Sequence, residues 1–384
     1  MAKLPLRSYW TTNYDNLIEK ALQQQQKIYD VKITNENFAT TSPNCDATVY
    51  KMHGDIRFPN EAVLTKDDYE NYTLKHQIFT TALQGDLISK TFLFIGFSFD
   101  DPNLEYILSR IRVLLGNSQR RHYCFMKKVH RSDFKDERDF MYAEIRQELK
   151  VKDLRRFNIK VLLIDDYTQI TTILRELELQ YRRRNIFISG SAAVYGPWGQ
   201  GRAYKFASEL SKRIIQNGNN ISTGFGLGIG SCILSGALEE IYKEERLTRV
   251  DDRLISRPFP QDTAGDISRS ELWTLHRNAL LDKVGISIFI FGNKVNPQGG
   301  VLDANGMEEE FEIGVEKGVV PIPIGSTGFT AKNLWNKVMS DFNRYVSDIR
   351  LEPMYRTLGN PNSTDEQIIE AVLNLIKQLE KRRR

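Results

Sequence analysis

Short apolar runs that stop at a glycine or a capping residue and lead straight into helix-patterned segments recur along this chain. That alternation limits the fold more than any other feature. Thr91–Phe97 is a continuous apolar run, the pattern of a strand covered on both faces. Asp100-Asp101-Pro102 follows, placing Asp101 as N-cap and Pro102 at the first helical position. Leu104, Ile107, Leu108, Ile111 and Leu115 then share one helix face, and Gly116 ends it. Further on, Asn185–Ser189, Ile221–Thr223 and Val284–Phe291 are strands of the same kind. Ala203, Phe206, Ala207, Leu210 and Ile214 form a helical stripe closed by Gly218. Strands alternating with helices predict the α/β class, here as two doubly wound, mostly parallel sheets.

A chain of 384 residues fits two domains at about 100–200 residues each. The run Arg182-Arg183-Arg184 separates two differently textured halves, so the expected division is 1–183 and 184–384, with the arginines as a solvated helix end or linker. Before the run come a charged helical stretch, Ser132–Lys152, a strand, Lys160–Ile164, and a helix over about Thr168–Tyr181. Near the end, Ser363 and Glu366 form a capping box before a helix over about Asp365–Lys381, whose apolar face seals either the core or a subunit contact. The net charge of +4 is too small for a domain built to neutralise a phosphate backbone, so nucleic acid is not the expected partner. Cys45, Cys124 and Cys232 lie far apart, which suits a reducing compartment and leaves no metal-binding cysteine cluster. Met1–Trp10 lacks a signal peptide's apolar core, and the longest apolar runs fall well short of the roughly 20 residues that cross a bilayer. A cytoplasmic protein without a membrane partner is expected.

In open parallel sheets, ligands sit at the carboxyl ends of strands. Three segments of the first half follow strand candidates: Thr11-Thr12-Asn13-Tyr14-Asp15, His53-Gly54-Asp55 and Gly96-Phe97-Ser98. Singly, Asp15 reads as a helix cap, His53 as a turn residue and Gly96–Ser98 as loop; together they would converge on one cleft. The three segments resemble the T-Q-N-I-D, H-G and G-T-S motifs of the sirtuin-type NAD-binding domain. The resemblance implies NAD+ as substrate, Asn13 positioning the nicotinamide ribose and the attacking water, and His53 as general base. It further implies Asp15 at the nicotinamide end, with Gly96 and Ser98 at the ribose. A four-cysteine zinc ribbon, usual in protein-deacylating sirtuins, cannot be built here, which favours plain NAD+ hydrolysis without a prosthetic group. The family's glycine-rich G-A-G-x-S loop precedes the T-Q-N-I-D motif by a long interval. Only twelve residues precede Asn13 and none is glycine, so an N-terminally incomplete first domain is expected.

The second half carries its own glycine loops. Ile186–Ser189 leads to Gly190-Ser191, and Ile221–Thr223 leads to Gly224-Phe225-Gly226-Leu227-Gly228-Ile229-Gly230 before a helix pattern over Ser231–Tyr242. Such glycines either let backbone N–H groups approach a phosphate or simply clear a tight turn. A helix over Ser268–Lys283 contains Arg277, and Lys294 follows the Val284–Phe291 strand. Gly299-Gly300 and Gly306 introduce Met307-Glu308-Glu309-Glu310-Phe311-Glu312. Those carboxylates either cap the helix dipole or, at Glu309, meet a ribose. Arg277 and Lys294 are either surface charges or partners for phosphate oxygens.

From about Asn185 to Gly325 the order of these features resembles the SLOG superfamily of Rossmann-like domains. The phosphoribohydrolase motif P-G-G-x-G-T-x-x-E is interrupted here by Val301–Met307, which favours ligand binding over that chemistry. A sirtuin-like domain followed by a SLOG domain resembles the effectors of bacterial Thoeris antiphage systems. That resemblance implies an NAD+ glycohydrolase switched on by a cyclic ADP-ribose isomer that a TIR-domain protein makes, with Gly190, Ser191, Gly224, Gly226, Gly228, Arg277, Lys294 and Glu309 around the activator. It also implies a homotetramer. Two other functions stand beside it: a cyclic-nucleotide binding module without catalysis, and a SLOG-type phosphoribohydrolase.

Overall fold

The structure is a computed structural model and describes residues 1–40, 42–243, 250–263 and 265–381. The chain forms two compact units, Met1–Leu177 and Glu178–Arg384.

In the first unit, strands β1 (Ser8–Thr11), β2 (Tyr29–Lys32) and β3 (Ala47–Lys51) make a parallel sheet in the order β1-β3-β2. Strands β4 (Leu93–Phe94), β5 (His122–Lys127) and β6 (Ile159–Ile164) make a second parallel sheet in chain order. The long covered strand expected over Thr91–Phe97 is not formed. Pairing stops after Phe94, Leu93 and Ile95 are each 36% exposed, and the backbone turns left-handed at Gly96 (φ +66°) and Phe99 (φ +61°). The rings of Phe92, Phe94, Phe97 and Phe99 instead pack edge-on or tilted against one another, so the apolar run is satisfied by a ring cluster rather than by a sheet. The helix after it, Pro102–Leu115, starts where the sequence places it. Its apolar stripe buries Leu104, Ile107, Leu108 and Ile111 beside Phe79 and Leu83. The charged stretch expected to start at Ser132 becomes a helix at Glu137–Arg156, capped by Asp136.

The second unit holds strands β7 (Asn185–Ser191), β8 (Asn220–Thr223), β9 (Leu254–Ser256), β10 (Ile286–Phe291) and β13 (Val320–Pro323) in one parallel sheet, ordered β13-β10-β7-β8-β9. Every residue of β10 is buried, as a strand covered on both faces requires. The chain runs from β7 outward to β9 and then returns to lay β10 on the other side of β7. The strand order therefore reverses between β7 and β10, the place where open α/β sheets accept ligands. A small antiparallel pair, β11 (Asn293–Val295) and β12 (Val301–Asp303), together with the start of the helix Asn305–Glu316, takes up the residues that interrupt the P-G-G-x-G-T-x-x-E pattern.

Arg182 is neither solvated nor part of a linker: the helix Thr168–Arg183 carries it into the second unit, where its side chain is buried. Its guanidinium donates to the carbonyl oxygens of Val284 (2.9 Å), Leu281 (3.2 Å) and Lys317 (3.2 Å), acceptors that a planar fork of donors satisfies together. The C-terminal capping box is formed by Thr364 and Gln367, one residue after the expected pair. Ser363 instead donates to the Thr357 carbonyl, and Glu366 pairs with Arg213. The helix that follows, Asp365–Glu380, buries Ile368, Ile369, Val372, Leu375 and Ile376 in the core of its own unit. No helix of the described residues is long and apolar enough to cross a membrane.

Candidate functional site

Parallel register places the first two motifs side by side. Thr11 of β1 pairs with Lys51 of β3, so Asn13 and His53 each lie two residues beyond paired positions at the same sheet end. Asn13 is exposed, and its amide donates to Thr11 Oγ1 at 3.0 Å. Asp15, also exposed, accepts from the Leu17 amide at 2.9 Å and so opens the helix Leu17–Gln24. Tyr14 between them is anchored by its hydroxyl to the Val63 carbonyl at 2.7 Å.

His53 is buried, with Val63 N–H donating to its carbonyl and the rings of Tyr69 and Tyr72 edge-on at 5.2 and 6.0 Å. Gly54 adopts φ +94° with the Ala62 backbone 3.0 Å from where a Cβ would stand, so a side chain there is excluded. The third motif reaches the same place through its flank: Asp101 Oδ2 stands 3.2 Å from His53 Nε2. Gly96 and Ser98 lie exposed on that loop, with Ser98 Oγ near the Asp100 amide at 3.4 Å.

A buried ion cluster that the sequence reading passed over ties these loops together. Lys51 is fully buried and its ammonium donates to the carbonyls of Tyr14 (3.1 Å) and Asp15 (2.5 Å) and to the carboxylates of Asp55 (2.5 Å) and Glu19 (3.4 Å). One cation thereby pins both loops that leave β1 and β3. Hydrogen bonds from Arg57 act most strongly on Asp55; with Lys51 they outweigh burial and hold its carboxyl far below the usual carboxylate range. The visible signal was a lysine closing an apolar strand with an aspartate four residues on, Lys51-Met52-His53-Gly54-Asp55.

In the second unit the glycines serve close backbone packing. A Cβ on Gly226 would stand 1.8 Å from the Gly190 carbonyl oxygen, and one on Gly228 2.1 Å from that of Ala192. On Gly190 it would meet Ile290 at 2.6 Å, and on Gly224 the Phe259 ring at 2.6 Å. The loops after β7 and β8 therefore lie back to back, joined by Ala192 N–H to the Leu227 carbonyl. Asn293, unremarked in the sequence, is fully buried and clamps the first of them. Its Oδ1 accepts from the amides of Ala193 and Val194, and its Nδ2 donates to the Val194 carbonyl. Ser191 Oγ sits 3.3 Å from the Asn293 carbonyl.

The charged residues gather on the helix Asn305–Glu316. Arg277 Nη1 donates to Glu309 Oε2 at 2.6 Å, and Thr274 donates to Glu309 Oε1 at 2.5 Å. Lys294 donates to Asn305, one helical turn before Glu309. The Arg277 guanidinium lies over Phe259 at 5.0 Å and Trp273 at 5.8 Å, which places Gly224, Arg277 and Glu309 around one aromatic wall. Glu310, which the sequence offered only as one acid among several, faces inward. It is buried at the reversal point between β7 and β10 and accepts from Ser189 Oγ at 2.5 Å. Burial pushes its carboxyl up to about 7 against the pull of Ser189 and Arg277, with Glu309 adding to the rise.

Comparison with known proteins agrees with this architecture. The model of the Sir2- and TIR-associating SLOG family matches residues 169–379, and that of the SIR2-like domain matches residues 7–148. The protein named NAD(+) hydrolase ThsA of Bacillus cereus (strain MSX-D12) is 46% identical over 381 residues, 99% of this chain and 79% of that one. Its namesake of Acinetobacter baumannii (strain 532279) is 49% identical over 384 residues, 98% of this chain and 80% of that one. A protein of Bacillus subtilis named defense-associated sirtuin 2 is 33% identical over 111 residues, 28% of this chain and 11% of its own length. With two thirds and more of the ThsA proteins covered at such identity, the chain belongs to the ThsA family, a SIR2-like unit joined to a SLOG unit.

Proposed function

We propose that the first unit hydrolyses NAD+ to ADP-ribose and nicotinamide in antiphage defence, and that a cyclic ADP-ribose isomer bound by the second unit switches this on. The observation that carries the catalytic reading is the paired register of β1 and β3, from which Asn13 and a buried His53 each follow two residues later at one sheet end. In this reaction the C1′–nitrogen bond breaks, nicotinamide leaves with the electron pair, and water bonds to C1′. Asn13 holds the ribose and the water, while His53 takes the water's proton; an imidazole is suited to this near neutrality. Asp15, Gly96 and Ser98 line the NAD+ side of the cleft. The family's printed name, NAD(+) hydrolase, supports this reading.

For the sensor, Arg277, Lys294 and Glu309 surround the activator, with Gly190, Ser191, Gly224, Gly226 and Gly228 forming the backbone floor. Arg277 is engaged by Glu309 in this structure, so an anionic activator must exchange with that carboxylate, which gives ligand binding a way to shift the helix Asn305–Glu316. The protein would work in the cytoplasm as a homotetramer beside a TIR-domain partner that makes the activator, with its functional halves dividing at residues 183 and 184.

Nicotinamide release from NAD+, with and without a cyclic ADP-ribose isomer, tests both halves. Asn13→Ala and His53→Ala are expected to lower cleavage by roughly 10²-fold or more; undiminished cleavage would remove them from the catalytic role. Arg277→Ala is expected to abolish the response to activator, and an unchanged activation constant would take Arg277 out of the pocket.

A further inference from the structure

The residue expected to act only as a helix cap has a second carboxylate oxygen with its own surroundings. Asp101 Oδ1 accepts from the amides of Asn103 (2.9 Å) and Leu104 (3.3 Å), which fixes the plane of the carboxylate in the first turn of Pro102–Leu115. Oδ2 is then held 3.2 Å from His53 Nε2, with the two side chains 10% and 5% exposed. A cap needs one oxygen in contact with the helix; nothing in capping requires the other to be buried against an imidazole.

We propose that Asp101 is a positioning residue for His53, fixing the orientation and protonation of its ring for NAD+ cleavage. The inference rests on His53 serving as the base of that reaction. A carboxylate only accepts, so the ring nitrogen facing it carries the hydrogen and Nδ1 is left to take the proton from water. The contact lies off the line of a straight hydrogen bond, as His53 Nε2 has no aligned partner. Such catalytic contacts tighten when substrate closes the site. The other titratable groups around the ring are phenols and a second imidazole: Tyr69 and Tyr72 edge-on, and His76 stacked on Tyr72 at 4.8 Å. Lys51 and Asp55, on either side of His53 in sequence, are engaged with each other. Asp101 is thus the anion in direct contact with the ring. Burial works against its charge, yet His53 and the two amides outweigh burial and keep its carboxyl below the usual range, so it is ionised at neutral pH.

Asp101→Asn separates the two roles, because asparagine caps a helix as well as aspartate but carries no charge. The imidazole resonances of the full chain are titrated by NMR, with His53→Gln used to assign the His53 signal. Loss of the facing anion lowers the His53 midpoint. The acidic limb of the kcat/KM profile for nicotinamide release moves down with it, and kcat falls at least roughly tenfold while KM for NAD+ holds. An unchanged His53 midpoint in Asp101→Asn overturns the proposal. If Asp101→Asn does not fold, Asp101→Ser, which also caps, is titrated in its place and judged by the same midpoint. Failure of the underlying reading looks different: His53→Ala then keeps its cleavage rate, whatever the titration shows.

Discussion

The two units solve the same problem in opposite ways. Each must hold loops steady at the carboxyl ends of parallel strands, and each has a buried carboxyl there. In the first unit, charge does the holding: Lys51 reaches two backbone carbonyls and two carboxylates, and Asp55, gripped by Arg57 and Lys51, stays ionised. In the second, backbone does it: glycines let the loops after β7 and β8 touch, and Asn293 clamps the contact with neutral hydrogen bonds. Glu310 has one arginine nearby, at 3.8 Å and already committed to Glu309, so burial prevails and its carboxyl rises to about 7. Two buried acids thus shift in opposite directions, and the direction follows the number of direct cationic contacts rather than depth alone.

Substitutions can break this contrast, starting with the largest effect. Gly226→Ala forces a methyl group into the Gly190 carbonyl and is expected to destabilise the second unit by roughly 4 kcal/mol. Calorimetry showing an unmoved transition would mean the loops do not depend on that contact. Lys51→Met leaves Asp55 and Glu19 buried without their shared cation and is expected to cost about 3 kcal/mol in the first unit. A neutral result in urea unfolding would show that the cluster is dispensable.

Glu310→Gln should work in the other direction. Its folded value lies above the ordinary 4.5, so the folded state binds an extra proton and loses stability as pH rises from 4.5 through about 7. The glutamine variant is therefore expected to be the more stable at pH 8, by up to about 3 kcal/mol, with the gain vanishing near pH 4. Asp55 supplies the counterpart: its depressed value gives stability that is present above 3.8 and lost as acid is added below it. Equal melting of Glu310→Gln and parent across that range would refute the contrast. The smallest effect is expected at Gly96→Ala, where open space surrounds the position and only φ +66° opposes a side chain, for about 1 kcal/mol.

Much of this was legible because it is local. Asp101, Pro102 and Gly116 bound their helix within one turn of its ends, and the wholly apolar β10 declared its burial without reference to partners. The segments carrying Asn13 and His53 stood out because each follows its strand directly, while the resemblance to sirtuin motifs singled out those two residues within them; parallel pairing then aligns the strand ends. The run Thr91–Phe97 misled because aromatic side chains can bury themselves against one another as readily as against a sheet. Arg182 misled because three arginines in a row look solvated until carbonyls about 100 or more residues away come to meet one of them.

By itself, then, the sequence determined the α/β class, the order of strands and helices, and the loops on which chemistry would fall. These depend on periodicity, caps and turn residues, interactions that close within a few positions. Only tertiary structure decided which charges go inside and with whom. Lys51 meets Glu19 across 32 residues, His53 meets Asp101 across 48, and Glu310 meets Ser189 across 121. A buried charge depends on the solvent it loses and the partners it gains, and both are set by chain segments that no local pattern names.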